Sequence, residues 1–314
     1  MRTKISIVIP VYASEAILPD LIGSIDQVMS ENNYDYELIL VCDASPDDSW
    51  KVIKRLRIKF TKIKGILLRN NSGQHNAVLA GLAEAKNSIV VTMDDDLQHD
   101  PRDIPKLIEA LAPETDVVYG AFRNRNHPVW KKMGSKFNNR VATFVLGKPQ
   151  ELYLSPFRVI RREIVLELVK FKGPFVYIDG LILAMTNSIN SVDVAHNSRK
   201  TGKSHYGFSK SIKLWLEMTT TTSIRPIRLM TLLGGAISLV SIFAGVFLIF
   251  QRLFLEEFPA GWASVMVTVL LFSGVQLLSL GLVGEYLGKT SMAVNGLPQS
   301  LEKERTEETQ PQKF

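Results

Sequence analysis

The sequence predicts an α/β domain on a parallel sheet, followed by a helical membrane hairpin. Three observations predict it. Short β-branched runs alternate with helix-length amphipathic segments early in the chain. Two uncharged runs near the C-terminus each reach the length of a membrane span. Mean hydropathy is +0.09 although 22% of the 314 residues are charged, so the apolar residues must be concentrated.

The elements follow in order. Ile5–Val11, Glu37–Cys42, Ile63–Leu68 and Ser88–Met93 are apolar enough for buried strands. Between them, about Ala16–Ser30, Pro46–Phe60 and Gly73–Ala85 read as helices. The second has Ser45 as N-cap, Pro46 at its first position and Asp47 and Asp48 in the first turn. Phe208–Ser223 places Ile212, Trp215, Leu216 and Thr219 on one face, with Lys210 and Lys213 off it. That pattern suits a helix lying in a membrane interface. Leu229 to Phe250 and Phe258 to Gly284 then run about 22 and about 27 residues without charge, more than the ~20 a span needs. Small residues such as Gly234, Gly235, Gly274 and Gly281 suit close helix packing.

Arg225 and Arg228 precede this hairpin, Lys289 follows it, and its connecting loop is net negative. Both ends are therefore expected on the cytoplasmic side. Ile5–Val11 is too short for a signal peptide and lacks a small-residue cleavage site, so the N-terminal domain is expected in the cytoplasm. The expected division is a catalytic domain over 1–207, an interfacial helix over 208–226, a two-helix transmembrane hairpin over 227–288 and a disordered cytoplasmic tail over 289–314. A lone cysteine, Cys42, excludes a disulfide framework and a Cys-based zinc site. Net charge is +6, which favours anionic partners.

In a parallel sheet, ligands sit beyond the carboxyl ends of the strands. Here those ends read Pro10-Val11-Tyr12, Cys42-Asp43-Ala44-Ser45, Asn70-Asn71-Ser72-Gly73 and Asp94-Asp95-Asp96-Leu97-Gln98. GxGxxG and GxxxxGK[ST] are both absent, so neither dinucleotide nor P-loop chemistry is indicated. An acidic site facing a phosphorylated ligand needs a divalent cation between them. Mg²⁺ or Mn²⁺ fits, because both take oxygen ligands and share them with phosphate.

These segments resemble family 2 glycosyltransferases of GT-A fold. The resemblance rests on Ile7-Val-Ile-Pro-Val-Tyr12, Asp43 in its acidic turn, Asn71-Ser-Gly-Gln-His-Asn-Ala77 and Met93-Asp-Asp-Asp-Leu-Gln-His-Asp-Pro101. Within the family the chain is most similar to the polyprenyl-phosphate glycosyltransferases: bacterial bactoprenol glucosyltransferases and, more distantly, dolichyl-phosphate mannose synthases. The resemblance implies a GT-A Rossmann-like nucleotide-sugar domain. It also implies inverting transfer of a sugar, UDP-glucose being the expected donor, to undecaprenyl phosphate at the inner membrane. GDP-mannose, UDP-GlcNAc or UDP-aminoarabinose are the alternative donors, and a non-catalytic scaffold or flippase partner is the rival of another class. A processive polysaccharide synthase would carry Gln-x-x-Arg-Trp, and no Arg-Trp pair occurs.

The resemblance also implies roles. Asp94, Asp96 and Gln98 would hold the metal, with Asp94, Asp96 and Arg158 catalytic. Pro10, Tyr12, Glu15, Asp43, Asn71, Gly73, Gln74 and Asp95 would line the nucleotide sugar, with Gly73 admitting close backbone approach. Arg199, Lys203, Ser204 and Tyr206 form a loop that could close over its diphosphate. The acid-free basic segment Arg123–Arg140 is expected to receive the lipid phosphate through Arg123, Lys131 and Arg140, with Phe157 and Arg158 shaping the acceptor pocket. It is read as lipid-facing and not as a nucleic-acid surface. Relatives often carry an Asp where Ser155-Pro156 precedes Phe157, but a phosphate acceptor is already ionised and needs no strong base. A homotetramer is a further expectation from the family.

Overall fold

In the computed structural model the described residues are 2–122, 143, 148–149, 152–173, 175–195, 227, 230–232, 234–237, 239–240, 243, 246–247, 250 and 261–306. The chain opens with β1 (Lys4–Val11), α1 (Leu18–Glu31), β2 (Asp35–Cys42), α2 (Ser49–Lys59), β3 (Ile63–Leu68), α3 (Gln74–Glu84) and β4 (Ile89–Thr92). After a 3-10 turn at Pro101–Asp103 come α4 (Ile104–Glu109), β5 (Val117–Ala121), β6 (Arg158–Arg161), α5 (Arg162–Leu168), α6 (Ile178–Met185) and β7 (Ile189–Asp193). α7 (Trp262–Val294) and β8 (Glu302–Arg305) complete the described elements.

Among the described residues one eight-stranded sheet runs in the order β7-β5-β6-β4-β1-β2-β3-β8. β1, β2, β3 and β4 are mutually parallel, as their helical crossovers require. β6 is antiparallel to both β4 and β5, so the sheet is mixed where an all-parallel one was expected. The chain leaves β1 towards β2 and β3, then returns to pair β4 on the other side of β1. That reversal is a topological switch point, where open α/β sheets form their ligand crevice.

Strand alternation builds a core on each face. Ile5, Ile7, Ile9 and Val11 pack with Leu18, Leu21 and Ile25 of α1 and with Ile53 of α2. Val8, Ile39 and Val41 pack on the other face with Leu79 and Leu82 of α3, Val165 of α5 and Ile182 of α6. All are buried, which explains why these runs read as continuously apolar.

Two further expectations change. α2 starts at Ser49, not Pro46, with Asp48 at the N-cap position. Ser45 instead donates to Asp47 Oδ1 at 2.5 Å, and Asp47 accepts from the Ser49 N–H at 3.1 Å. The acid meant for the first turn thus closes the loop before the helix. The polar tail also departs from disorder. β8 adds antiparallel to the β3 edge, and Thr306 donates its N–H to Gly65 O at 3.0 Å. Gly65 is needed there, since a Cβ would come within 2.7 Å of Ile53 Cγ2 and 2.8 Å of Thr306 Cγ2. Glu304 anchors the strand by accepting from Trp50 Nε1 at 2.9 Å and Lys54 Nζ at 3.1 Å. Covering an open edge in this way removes unpaired backbone groups.

The expected hairpin is described only in part. α7 spans 33 residues and contains the second apolar run from Trp262 on. The described residues between 227 and 250 are helical, and Ser279 Oγ reaches Met230 Sδ at 3.9 Å. Among the described residues no helix is long and apolar enough to cross a membrane. The interfacial helix over 208–226 lies outside the described residues.

Candidate active site

The loops after β1, β2 and β4 meet at the switch point. Each carries a non-glycine residue in the left-handed region: Ala13 at φ 55°, Ala44 at 47° and Leu97 at 59°. Such backbone costs energy and persists only where surrounding contacts hold it, a pattern typical of functional loops.

Those contacts are mostly carboxylates accepting from loop donors. Asp95 Oδ2 accepts from the Tyr12 N–H at 2.9 Å and the Ser14 hydroxyl at 2.6 Å, joining the β4 loop to the β1 loop. Asp47 Oδ2 accepts from the Glu15 N–H at 3.0 Å, while Glu15 accepts from the Asp48 N–H at 2.8 Å. Burial pulls Asp47 upward, but the Ser45 and Ser49 hydroxyls and two N–H donors outweigh it and hold its carboxyl below the usual range. Asp43 is buried and accepts from the N–H groups of Ser72 and Gly73 at 2.7 and 2.9 Å. Asn71 Oδ1 also accepts from the Gly73 N–H, at 3.2 Å.

These contacts give several of the expected nucleotide residues a structural part as well. Asp95, Glu15 and Asp43 each staple loops; of the three, Asp43 is buried, Asp95 half-buried and Glu15 exposed. Asp43 cannot be read as a free acceptor for a base. Pro10 lies buried inside β1, paired with Val41 in register, so it lines no crevice. Gly73 answers to backbone geometry: at φ 86° it caps α3, and a Cβ there would meet nothing within 4 Å. Tyr12 is widely open, at 50% exposure, and Glu15, Asn71, Gly73 and Gln74 are exposed as well.

The end of β4 is different. Asp94 and Asp96 lie half-buried in one short turn. The turn is shaped by His99 Nδ1 accepting from the Asp94 N–H at 3.2 Å and Asp96 Oδ1 accepting from the Gln98 N–H at 3.1 Å. Gln74, at the start of α3, donates Nε2 to Asp94 Oδ1 at 2.5 Å. Burial, then the charges of Asp96 and Asp95, push the Asp94 carboxyl up to about 8, against the pull of Arg158 and Gln74. Two carboxylates crowded in this way are poorly matched to each other and well matched to a cation.

Among the described residues no three His, Cys, Asp or Glu side chains form a metal cage. The donor set still fits Mg²⁺ or Mn²⁺, which are commonly held by one or two carboxylates with substrate phosphates and water completing the shell. Asp94 and Asp96 would be the charged ligands. Gln98 is anchored in the same turn through its N–H.

Phe157 and Arg158 do not form an open acceptor pocket. Phe157 is fully buried, its ring 5.2 Å from that of His99. Arg158 is 2% exposed and ion-paired with Asp179 of α6, beneath the site. Its Nε donates to Thr92 Oγ1 at 3.2 Å, and Tyr119 donates its hydroxyl to Asp179 Oδ1 at 2.9 Å. His75 packs edge-on against Tyr177 at 5.1 Å, and burial takes its imidazole down to about 4. Asp179, Tyr119 and His75 were not anticipated. The one available signal was a single acid in the apolar segment Ile178-Asp-Gly-Leu-Ile-Leu-Ala-Met185. Arg123, Lys131, Arg140, Arg199, Lys203, Ser204 and Tyr206 lie outside the described residues.

A family described as Glycosyl transferase family 2 matches residues 6–169. The chain is 34% identical over 300 residues to an undecaprenyl-phosphate 4-deoxy-4-formamido-L-arabinose transferase of Aeromonas hydrophila subsp. hydrophila, covering 94% of this chain and 91% of that protein. It is 33% identical over 301 residues to the protein of the same name from Proteus mirabilis, with the same coverage. Among solved structures it is similar to glucosyl-3-phosphoglycerate synthase from Mycobacterium tuberculosis in complex with phosphoglyceric acid. The TM-score is 0.53 at 18% identity, over 70% of this chain and 80% of that one, a likeness of fold.

Proposed function

We propose, on the premise that this chain belongs to glycosyl transferase family 2 and is a glycosyltransferase, that it moves a sugar from a nucleotide donor to undecaprenyl phosphate. The observation that carries this reading is similarity along 94% of the chain to relatives named for that acceptor. Those names also favour a 4-amino-type arabinose donor over the glucose expected from the sequence. The acidic turn after β4 supports a metal-assisted departure of a diphosphate, as does its position at the switch point.

In the reaction, a phosphate oxygen of the acceptor forms a bond to the anomeric carbon. The bond from that carbon to the diphosphate oxygen breaks, and its electron pair leaves with the nucleoside diphosphate. Displacement from the opposite face inverts the centre. Bound Mg²⁺ or Mn²⁺ would offset the charge that develops on the diphosphate. Asp94 and Asp96 would hold the ion, and Gln74 orients Asp94. Tyr12, exposed beside the stapled β1 loop, would cover the nucleotide. The acceptor is ionised at neutral pH, so the chain's task is to position it and exclude water.

The same reading places the apolar runs in the inner membrane with the catalytic domain on the cytoplasmic side. Arg123, Lys131 and Arg140 would meet the lipid phosphate, and Arg199, Lys203, Ser204 and Tyr206 the donor diphosphate. The deciding experiment is a transfer assay in detergent, with undecaprenyl phosphate and a panel of UDP-4-amino- and UDP-4-formamido-arabinose, UDP-glucose, UDP-GlcNAc and GDP-mannose. Turnover of the arabinose donors is expected. Turnover of UDP-glucose alone would return the sugar to glucose, and failure with every donor would sink the acceptor reading. For topology, a cysteine introduced at Glu256 should react with a non-permeant reagent from the outer face. Labelling only from the cytoplasmic face would reverse the orientation.

A further inference from the structure

The most heavily buried charge among the described residues is not an acid of the site but Arg158, paired behind it with Asp179. Register explains how they come together. Thr92 of β4, Arg158 of β6 and Tyr119 of β5 are consecutive partners across three strands, so their side chains form one row on one face of the sheet. Alternation puts Asp94, two residues beyond Thr92, on that same side. α6 covers the row and drops Asp179 onto it, where its Oδ1 accepts from both Arg158 and Tyr119. Thr92 holds the other side of the guanidinium and donates its hydroxyl to Pro156 O at 2.7 Å. The Tyr119 ring lies 5.7 Å from Arg158 Cζ. The row therefore fixes the guanidinium from three directions.

A buried cation here would be a liability by itself. Arg158 lies near enough to act on Asp94 electrostatically, and so near the place a divalent ion would occupy. An unbalanced guanidinium would repel that ion through a medium that screens poorly. Asp179 cancels it. We propose that Asp179 is a positioning residue that neutralises and aims Arg158, so that the row braces the β4 turn without opposing cation binding at Asp94 and Asp96. This rests on the metal-dependent reading above and adds to it a residue remote in sequence that tunes the metal site.

A brace that is only structural is weakened by any change to it. A charge balance responds with opposite signs when opposite partners are removed. The test is Mn²⁺ binding to the full chain in detergent without nucleotide, read from the loss of the free-ion EPR signal. Asp179→Asn leaves Arg158 unbalanced and should weaken Mn²⁺ about tenfold, given two charges on the ion and partial screening. Arg158→Gln leaves Asp179 unbalanced and should tighten it several-fold. The double variant is neutral again and should return to within about threefold of the parent.

Far-UV circular dichroism identifies any variant that fails to fold. If Asp179→Asn is lost in that way, Arg158→Gln against the double variant carries the same sign. In the transfer assay Asp179→Asn should raise the KM for Mn²⁺ more than it lowers kcat at saturating metal. Equal weakening in both single variants, or no change in either, would overturn the charge balance. Asp94→Asn separates the two layers: if it binds Mn²⁺ as well as the parent does, the metal reading itself is wrong and this inference goes with it.

Discussion

Two groups of carboxylates share one crevice and are in opposite states. On the β1–β2 side, Asp47, Glu15 and Asp95 each accept from backbone N–H or hydroxyl donors. At the end of β4, Asp94 and Asp96 share one turn, and burial with the charges of Asp96 and Asp95 takes Asp94 up to about 8. The residue types are the same; the surroundings differ. Carboxylates that have found donors spend their charge on holding loops. Asp94 and Asp96 each have one donor, Gln74 Nε2 and the Gln98 N–H, yet they sit in one turn, where a divalent cation would offset both charges at once.

The largest effect should come from the crowded group. Asp94→Asn or Asp96→Asn keeps shape and removes charge, and should lower transfer by about 10²–10³-fold while the melting temperature changes little. EDTA should act likewise, with activity restored by Mn²⁺ or Mg²⁺. Full transfer in EDTA would break the comparison, because both groups would then be structural.

The stapling group should show the reverse. Asp95→Asn turns one acceptor into a donor facing the Tyr12 N–H and the Ser14 hydroxyl. It should cost about 1–3 kcal/mol of stability and raise the KM for donor more than it lowers kcat. Asp47→Asn should lower stability on a similar scale. A loss of turnover without a loss of stability in either variant would move that acid into the crowded group.

Acid titration sharpens the contrast further. Asp47 and Glu37 are held below their ordinary values of 3.8 and 4.5, burial being outweighed in each by donated hydrogen bonds. As pH falls the unfolded chain takes up those protons first. The stability they contribute is therefore present above about 4.5 and lost as pH drops through their lower folded values. His75 acts in a higher window. Its folded value of about 4 lies below the ordinary 6.5, so its contribution is complete above 6.5 and fades towards 4. Melting curves across pH should show both slopes, with His75→Gln removing the upper one and Asp47→Asn flattening the lower. A pH-independent melt between 6.5 and 4 in the parent would contradict the depressed imidazole.

The smallest effect belongs to the exposed end of the tail. Glu304→Ala removes the contacts to Trp50 and Lys54, which lie in water. Only a slight fall in melting temperature and unchanged transfer are expected. A large loss of activity would tie β8 to the site.

Much of this was legible from local pattern. Continuous apolar runs marked β1 to β4, and an acidic turn after a buried strand marked the end of β4, because strand burial and turn acidity are properties of neighbouring residues. The resemblance to a sugar-transferring family rested on those same local stretches. The resemblance set Asp95 apart from the Asp94 and Asp96 on either side of it, but local pattern could not show what holds it. Its donors, Tyr12 and Ser14, are 83 and 81 positions away. Arg158 was expected to charge an acceptor pocket, but three strands in register and α6 enclose it with Asp179. The polar tail looked disordered because its strand has no apolar face of its own and is held by the open edge of β3. The sequence determined which residues could carry charge into the crevice. Tertiary structure decided which charges were already satisfied, because the partner of a buried carboxylate is chosen by proximity in space, and chain order does not encode it.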